Sequence, residues 1–350
     1  MPFREIIGHR RLVRLLARSI DKSSLPPSLI FAGPEGIGKR MVAVAVAQTL
    51  NCTSLLEAAS DSTREVAGPT AADLDVLLDA CGTCAACTRI SRGVHPDVLI
   101  VEPGDNGSIK VEQVRDIVER AAYRPFEGRR RVVIVDEADA LLSSSQNALL
   151  KTLEEPPSLS VFILVTARPD MLLATVRSRC PRLQFRPLRT DEVTAALVVR
   201  GFSNADAHAT SVASQGSLGR ALQASAGDLA GARDVALRVL GQAVAVNDPH
   251  RRIDSAKDLV AGRGPSATDR EQLAARLRAM ASLLRDVELI GAGGGRQELG
   301  NPDVLAAIER LKGFAGERGV RAYAAVDKAL LALRRNAGVK IVADWIVLQL

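Results

Sequence analysis

The chain has 350 residues, 47% of them hydrophobic, which is enough for two or three domains with their own cores. Aromatics make up only 3%, so those cores must rest on Ala, Val and Leu, a composition that favours helices. Charge is present at the N-terminus MPFREIIGHRRL and no apolar run reaches membrane-spanning length, so a secretory leader and a membrane span are excluded and a cytoplasmic location is expected. The net charge of +6 is compatible with a polyanionic partner without requiring one.

In chain order, HRRLVRLLARSID (9–21) reads as an amphipathic helix ended by a Pro-Pro turn. SLIFAG (28–33) reads as a short apolar strand running into GPEGIGKR (33–40), and KRMVAVAVAQTL (39–50) as a helix. Strand, glycine loop and helix are the setting a phosphate-binding loop needs. Gly33, Gly36 and Gly38 let the backbone approach phosphate, Lys39 reaches the outer phosphates, and the next position should carry a hydroxyl for Mg²⁺. It carries Arg40 instead. A guanidinium about 5 Å from Mg²⁺ opposes it by several kcal/mol even at an effective dielectric near 20. Lys39 and backbone N–H groups still suffice to hold a phosphate, so this loop is expected to take ATP or ADP and to hydrolyse poorly.

Residues 53–80 are rich in Ser, Ala, Asp and Thr and read as an inserted loop or short helix. DVLIVE (97–102), RRVVIVDEADAL (130–141) and VFILVTA (161–167) are apolar strands alternating with the helices IKVEQVRDIVERAAY (109–123) and SSSQNALLKTLEE (143–155). Continuous apolar strands separated by helices predict an α/β fold with a parallel sheet covered on both faces. Asp136 and Glu137 close the strand VVIV as the acidic pair that orients Mg²⁺ and water in such NTPases. Beyond FRPL (185–188) the pattern turns Ala-rich and helical, with one set to about 245 and a second from 246 to 350 broken at GRGPS and GAGGGR.

Cys81, Cys84 and Cys87 form CxxCxxC, and Cys52 follows the loop helix. Four thiols in a reducing compartment point to tetrahedral Zn²⁺ in a closed structural site. His95 is an alternative fourth ligand, although HPD reads better as a turn before a strand, and Cys180 lies far away. A DNA-binding zinc module is a rival reading, but only Arg89 and Arg92 flank the cysteines.

GPEGIGK, CGTCAAC, HPD, VVIVDEAD, NALLKTLEEPP (147–157), SRC (178–180) and GSLGRAL (216–222), in this order, resemble the AAA+ clamp-loader subunits of the bacterial DNA polymerase III holoenzyme. The resemblance runs to LLALRRNAGVKIVADWIVLQL (330–350), which looks like the family's last collar helices. It implies an AAA+ P-loop domain with a zinc insertion (1–188, zinc module about 52–87), a helical lid (189–245) and a helical collar (246–350). It also implies Thr166 as first sensor, Arg220 near the second sensor position, and Arg179 of SRC as an arginine finger reaching a neighbour's nucleotide. Arg177, Arg182 and Arg186 read as surface or interface charges. Within the family the delta-prime kind is favoured over the gamma/tau motor. Arg40 replaces the motor's hydroxyl, Gly219 stands where the motor's sensor arginine belongs, and no long tau-like tail follows residue 350. The expected partners are gamma/tau and delta in a ring, with the sliding clamp and primed DNA reached through the complex and no membrane. The chain would contribute no independent catalysis. The alternative is an active gamma/tau-type ATPase.

Overall fold

The computed structural model describes residues 1–55, 78–104, 106–223, 226–245, 248–260, 266–295, 299–335 and 337–350, so most of the insertion expected at 53–80 lies outside the described residues. The described chain divides into two compact units, residues 1–192 with 217–219, and residues 193–216 with 220–350.

The first unit is built on five parallel strands: β1 (Ser28–Ala32), β2 (Val98–Val101), β3 (Arg131–Val135), β4 (Ser160–Thr166) and β5 (Arg182–Gln184), in the order β2-β3-β4-β1-β5. The inner strands are apolar throughout because both faces are covered. Leu29 and Phe31 of β1, Val132 and Ile134 of β3, and Val161, Ile163 and Val165 of β4 enter one core. The alternate residues Ile30, Val133, Val135, Phe162 and Leu164 enter the other. Helices α1 (Arg10–Asp21), α2 (Lys39–Asn51) and α3 (Ala85–Ser91) contribute to the first core, through Leu16, Val46 and Ile90 among others. Helices α4 (Val111–Ala122), α5 (Ser143–Glu154) and the short α6 (Ala174–Arg177) contribute to the second, through Val114, Leu149 and Val176. The register pairs Ala32 with Thr166, Val135 with Leu164 and Val101 with Val135, so the segments following β1, β2, β3 and β4 all leave from one edge of the sheet.

The stretch 130–141 is strand only to Val135, where Glu137 takes a left-handed φ of 48° and a short 3-10 turn follows at Ala138–Ala140. At the opposite edge a buried carboxylate organises the entry to β3. Asp97 accepts the N–H groups of Phe126, Glu127 and Gly128 at 2.7, 2.9 and 2.8 Å and meets Arg131 at 2.8 Å. Burial alone would push its carboxyl up, but these donors bring it down to about 2.

The second unit holds α7 from Val193 on (the helix runs Thr190–Val199), α8 (Asn204–Ser214), α9 (Leu218–Gln223) from Arg220 on, α10 (Ala226–Ala245), α11 (Pro249–Val260), α12 (Ser266–Gly291), α13 (Leu305–Glu309), α14 (Glu317–Arg334) and α15 (Val339–Gln349). Its core joins Leu240, Leu277, Met280, Leu284, Phe314, Val326 and Ile346, aliphatic with one aromatic at the centre. No helix among the described residues is long and apolar enough to cross a membrane.

Asp97→Asn removes the partner of a buried guanidinium, and losing one member of such a pair costs about 3 kcal/mol or more. Denaturant unfolding of the variant should show a loss of that size. In the native chain the Asp97 contribution is present above the ordinary carboxylate pKa and is lost as pH falls through about 2.

Candidate nucleotide site and metal centre

The loop between β1 and α2 adopts the backbone its glycines permit. Gly36 and Gly38 have φ of 69° and 100°, and a Cβ on Gly33 would lie 2.4 Å from the carbonyl oxygen of Phe185. Lys39 opens α2 with its side chain buried, and its Nζ donates to the carbonyls of Gly33 and Pro34 at 2.6 and 2.5 Å. Burial lowers the Lys39 pKa to about 8, opposed by Asp136, Asp139 and Glu137.

Arg40 turns its guanidinium onto Asp136, 3.2 Å from Oδ2, and onto Glu102 at the end of β2. Position 40 therefore supplies a cation where the loop pattern calls for a metal-binding hydroxyl. Burial raises the Asp136 pKa, with Arg40 as the main opposing charge. Glu137 is raised by burial and then by its neighbours Asp136, Asp139 and Glu102.

Thr166 ends β4 fully buried and donates its hydroxyl to Asp139 Oδ1 at 2.8 Å, while the N–H of Ala167 reaches the same oxygen at 3.3 Å. Thr166, not Ala167, thus offers a side chain at this position. Asp139 and Glu102 belong to this cluster and were not singled out in the sequence. Asp139 stands inside VDEAD and was legible as a third acid. Glu102 needed the sheet order, which sets β2 beside β3.

Residues Ser217–Gly219 belong to the first unit. Ser217 Oγ donates to the carbonyl of Glu35 at 3.0 Å, and the N–H of Gly219 donates to that of Gly36 at 2.8 Å. A Cβ at Gly219 would lie 3.0 Å from Gly36 Cα, so a larger residue there must displace the phosphate loop. Arg220 falls in the second unit, where burial and then Arg278 lower its pKa to about 10.

Arg179 lies elsewhere. It precedes β5, whereas Gly33 follows β1, and the two strands are parallel neighbours, so Arg179 and its own phosphate loop occupy opposite edges of the sheet. Its guanidinium donates to the carbonyl of Thr175 at 2.9 Å and to Glu154 Oε2 at 3.2 Å. Glu154, within LEEPP, is a further partner that the sequence reading did not name.

The four cysteines converge. The Sγ atoms of Cys52, Cys81, Cys84 and Cys87 all lie within 4.8 Å of one another, a set that can hold one metal ion. Backbone N–H groups already point at sulfur: Thr83 and Cys84 to Cys81 at 3.4 and 3.2 Å, and Cys87 to Cys84 at 3.4 Å. Burial would push the Cys81 thiol up, but hydrogen bonds from Ser54, Cys84 and Thr83 bring it down to about 5, a thiolate ready to ligate. Burial pushes Cys52 and Cys87 up, as expected of thiols that gain charge compensation only when a cation arrives. His95 is outside the group. It is buried, accepts the Asp97 N–H at Nδ1 and faces Glu127 with Nε2 at 3.3 Å. Cys180 is buried in the second sheet core.

The arrangement is a nucleotide fold with a modified phosphate loop, a four-cysteine module after α2 and a basic motif on the far sheet edge. The family model described as DNA polymerase III, delta subunit, matches residues 8–189, just over half of the chain. The chain belongs to that family. The delta-prime subunit of DNA polymerase III from Bacillus subtilis is 32% identical over 193 residues, 55% of this chain and 52% of its own length. The gamma/tau subunit from Mycobacterium tuberculosis is also 32% identical over 195 residues, which is 30% of that protein. The chain thus spans between 24% and 40% of the length of the gamma/tau and tau subunits it matches. A solved gamma-subunit-related protein from Thermotoga maritima aligns at 19% identity with a TM-score of 0.37, over 95% of this chain and 96% of its own.

Cys84→Ser removes one of four convergent ligands. The purified wild-type chain, kept reduced, should carry one equivalent of metal by elemental analysis, and the variant should lose most of it. Stability should fall with the metal, because a closed site contributes folding energy rather than catalysis.

Proposed function

We propose that the chain is a delta-prime-like clamp-loader subunit, with AAA+, lid and collar parts at 1–188, 189–245 and 246–350. In this reading it joins gamma/tau and delta in a ring that uses ATP to load the sliding clamp onto primed DNA. It hydrolyses ATP poorly or not at all, its four cysteines hold structural Zn²⁺, and Arg179 serves a neighbour's ATP. The observation that carries the reading is Arg40, whose guanidinium engages Asp136 and Glu102 in place of a hydroxyl beside Lys39. The position of Arg179 at the sheet edge away from its own loop supports a role in trans. An arginine there presents an always-charged, forked donor to phosphate oxygens, which lysine cannot reproduce.

A second reading, an active motor, draws on Lys39 and the acidic pair Asp136–Glu137, which are all in place. Steady-state ATPase of the isolated chain separates the two. Negligible turnover is expected, and robust turnover selects the motor. Arg40→Thr should improve Mg²⁺-dependent nucleotide binding without restoring hydrolysis, since Gly219 brings no sensor arginine.

Arg179→Ala should leave folding, metal content and ring assembly intact. In a reconstituted ring the ATP site facing it should lose on the order of 10³-fold in turnover, seen overall as a partial fall because other sites keep their own arginines. Nucleotide affinity should hardly change, and Arg179→Lys should rescue little. Equal ATPase and clamp loading in wild-type and alanine rings would reduce Arg179 to a structural charge.

A further inference from the structure

Helix α1 places its charges against its own stability. Val13, Leu16 and Ala17 face the core, while Arg10, Arg11, Arg14 and Arg18 are exposed. Arg10, Arg14 and Arg18 follow one another at four-residue steps, so like charges are stacked along one face where opposite charges would stabilise. Arg10 and Arg11 fill the first turn, which contains no acid, at the end of the helix where the macrodipole already places positive charge. The N-cap, His9, adopts a left-handed φ of 52° and makes no side-chain cap bond. The only acid on the helix is Asp21, its last residue. Arg10, Arg11 and Arg18 have no ion-pair partner among the described residues. Each of these costs becomes a favourable contact when an external polyanion lies along the helix.

We propose that this face of α1 binds the phosphate backbone of double-stranded DNA. Four residues of helix rise about 6 Å, so Arg10, Arg14 and Arg18 form a line of positive charge about 12 Å long, set against a duplex that carries one negative charge per roughly 1.7 Å of axis. Each guanidinium can fork onto phosphate oxygens. Single-stranded nucleic acid fits less well, because it is held on aromatic stacking platforms and α1 carries no aromatic residue. A lipid surface needs an apolar face to insert, and that face of α1 is already buried in the core. The contact is made by the chain itself and does not depend on the role of Arg179 or on the fate of nucleotide.

The test uses the full chain alone and a fluorescently labelled blunt duplex, with anisotropy read over a salt series from about 50 to 200 mM. The logarithm of the binding constant should fall linearly with the logarithm of salt. Arg10→Gln, Arg14→Gln and Arg18→Gln should each flatten the slope by about 0.9, whatever the sequence of the duplex. The triple variant should bind at least about tenfold more weakly at the lowest salt. It should melt at or above the wild-type temperature, because glutamine keeps the helix and relieves the like charges. A control triple on exposed lysines of the second unit, Lys312→Gln, Lys328→Gln and Lys340→Gln, should bind as wild type does. The proposal is overturned by an unchanged slope in the α1 triple, by an equal loss in the control triple, or by tighter binding of a single strand through the same three arginines. Because no ring is present, such a failure leaves the Arg179 experiment unaffected, and a failure of that experiment leaves this one standing.

Discussion

At the edge of the sheet where β1, β2, β3 and β4 end, two cations balance only part of the charge of four carboxylates, and Arg168 stands 3.9 Å from one of them, Asp139. Lys39, Arg40, Glu102, Asp136, Glu137 and Asp139 form this group, and the parallel register assembles it. Arg40 bridges the acids that end β2 and follow β3. Its ion pairs are half-exposed, so each contributes on the order of 1 kcal/mol or less to stability. They tie the first turn of α2 to the acids at the ends of β2 and β3. Lys39 and the Gly219 contact act on the same loop from its other sides, tying its carbonyls to groups of the protein itself.

The metal module rests on the same unit by a different means. Arg4 donates to the carbonyls of Ala80 and Cys81 at 2.8 and 2.7 Å, and Gln48 of α2 donates to the carbonyl of Cys87 at 2.8 Å. Cys52 directly follows α2, the helix that starts at Lys39. Backbone anchors of this kind hold the thiols at ligating separation from both ends of the insertion. Four convergent cysteines could hold one metal ion, and a site closed by four thiolates leaves no position for substrate.

The two edges of the sheet carry different charge chemistry. Around the phosphate loop Arg40 pairs with Asp136 and Glu102, whereas Arg179 at the other edge donates to the carbonyl of Thr175 and to an exposed carboxylate, Glu154.

Much of this was legible in the chain. Period-free apolar strands alternating with helices indicated a covered parallel sheet, because both faces of a buried strand must be apolar, and the glycines around Lys39 indicated a phosphate loop, because only they allow its backbone. CxxCxxC likewise indicated a metal module, since that spacing brings thiols round one turn, and four Sγ atoms do converge. What the chain could not disclose was set by contacts between residues far apart in sequence. The choice of Cys52 over His95 depended on His95 being engaged by Asp97 and Glu127. The partnership of Thr166 with Asp139, and of Arg40 with Glu102, followed from strand order and register, which no local pattern encodes. That Gly219 lies on Gly36 required the chain to return over nearly two hundred residues. Local propensity and spacing determine which groups a segment can offer, whereas the packing of the sheet decides which of them meet.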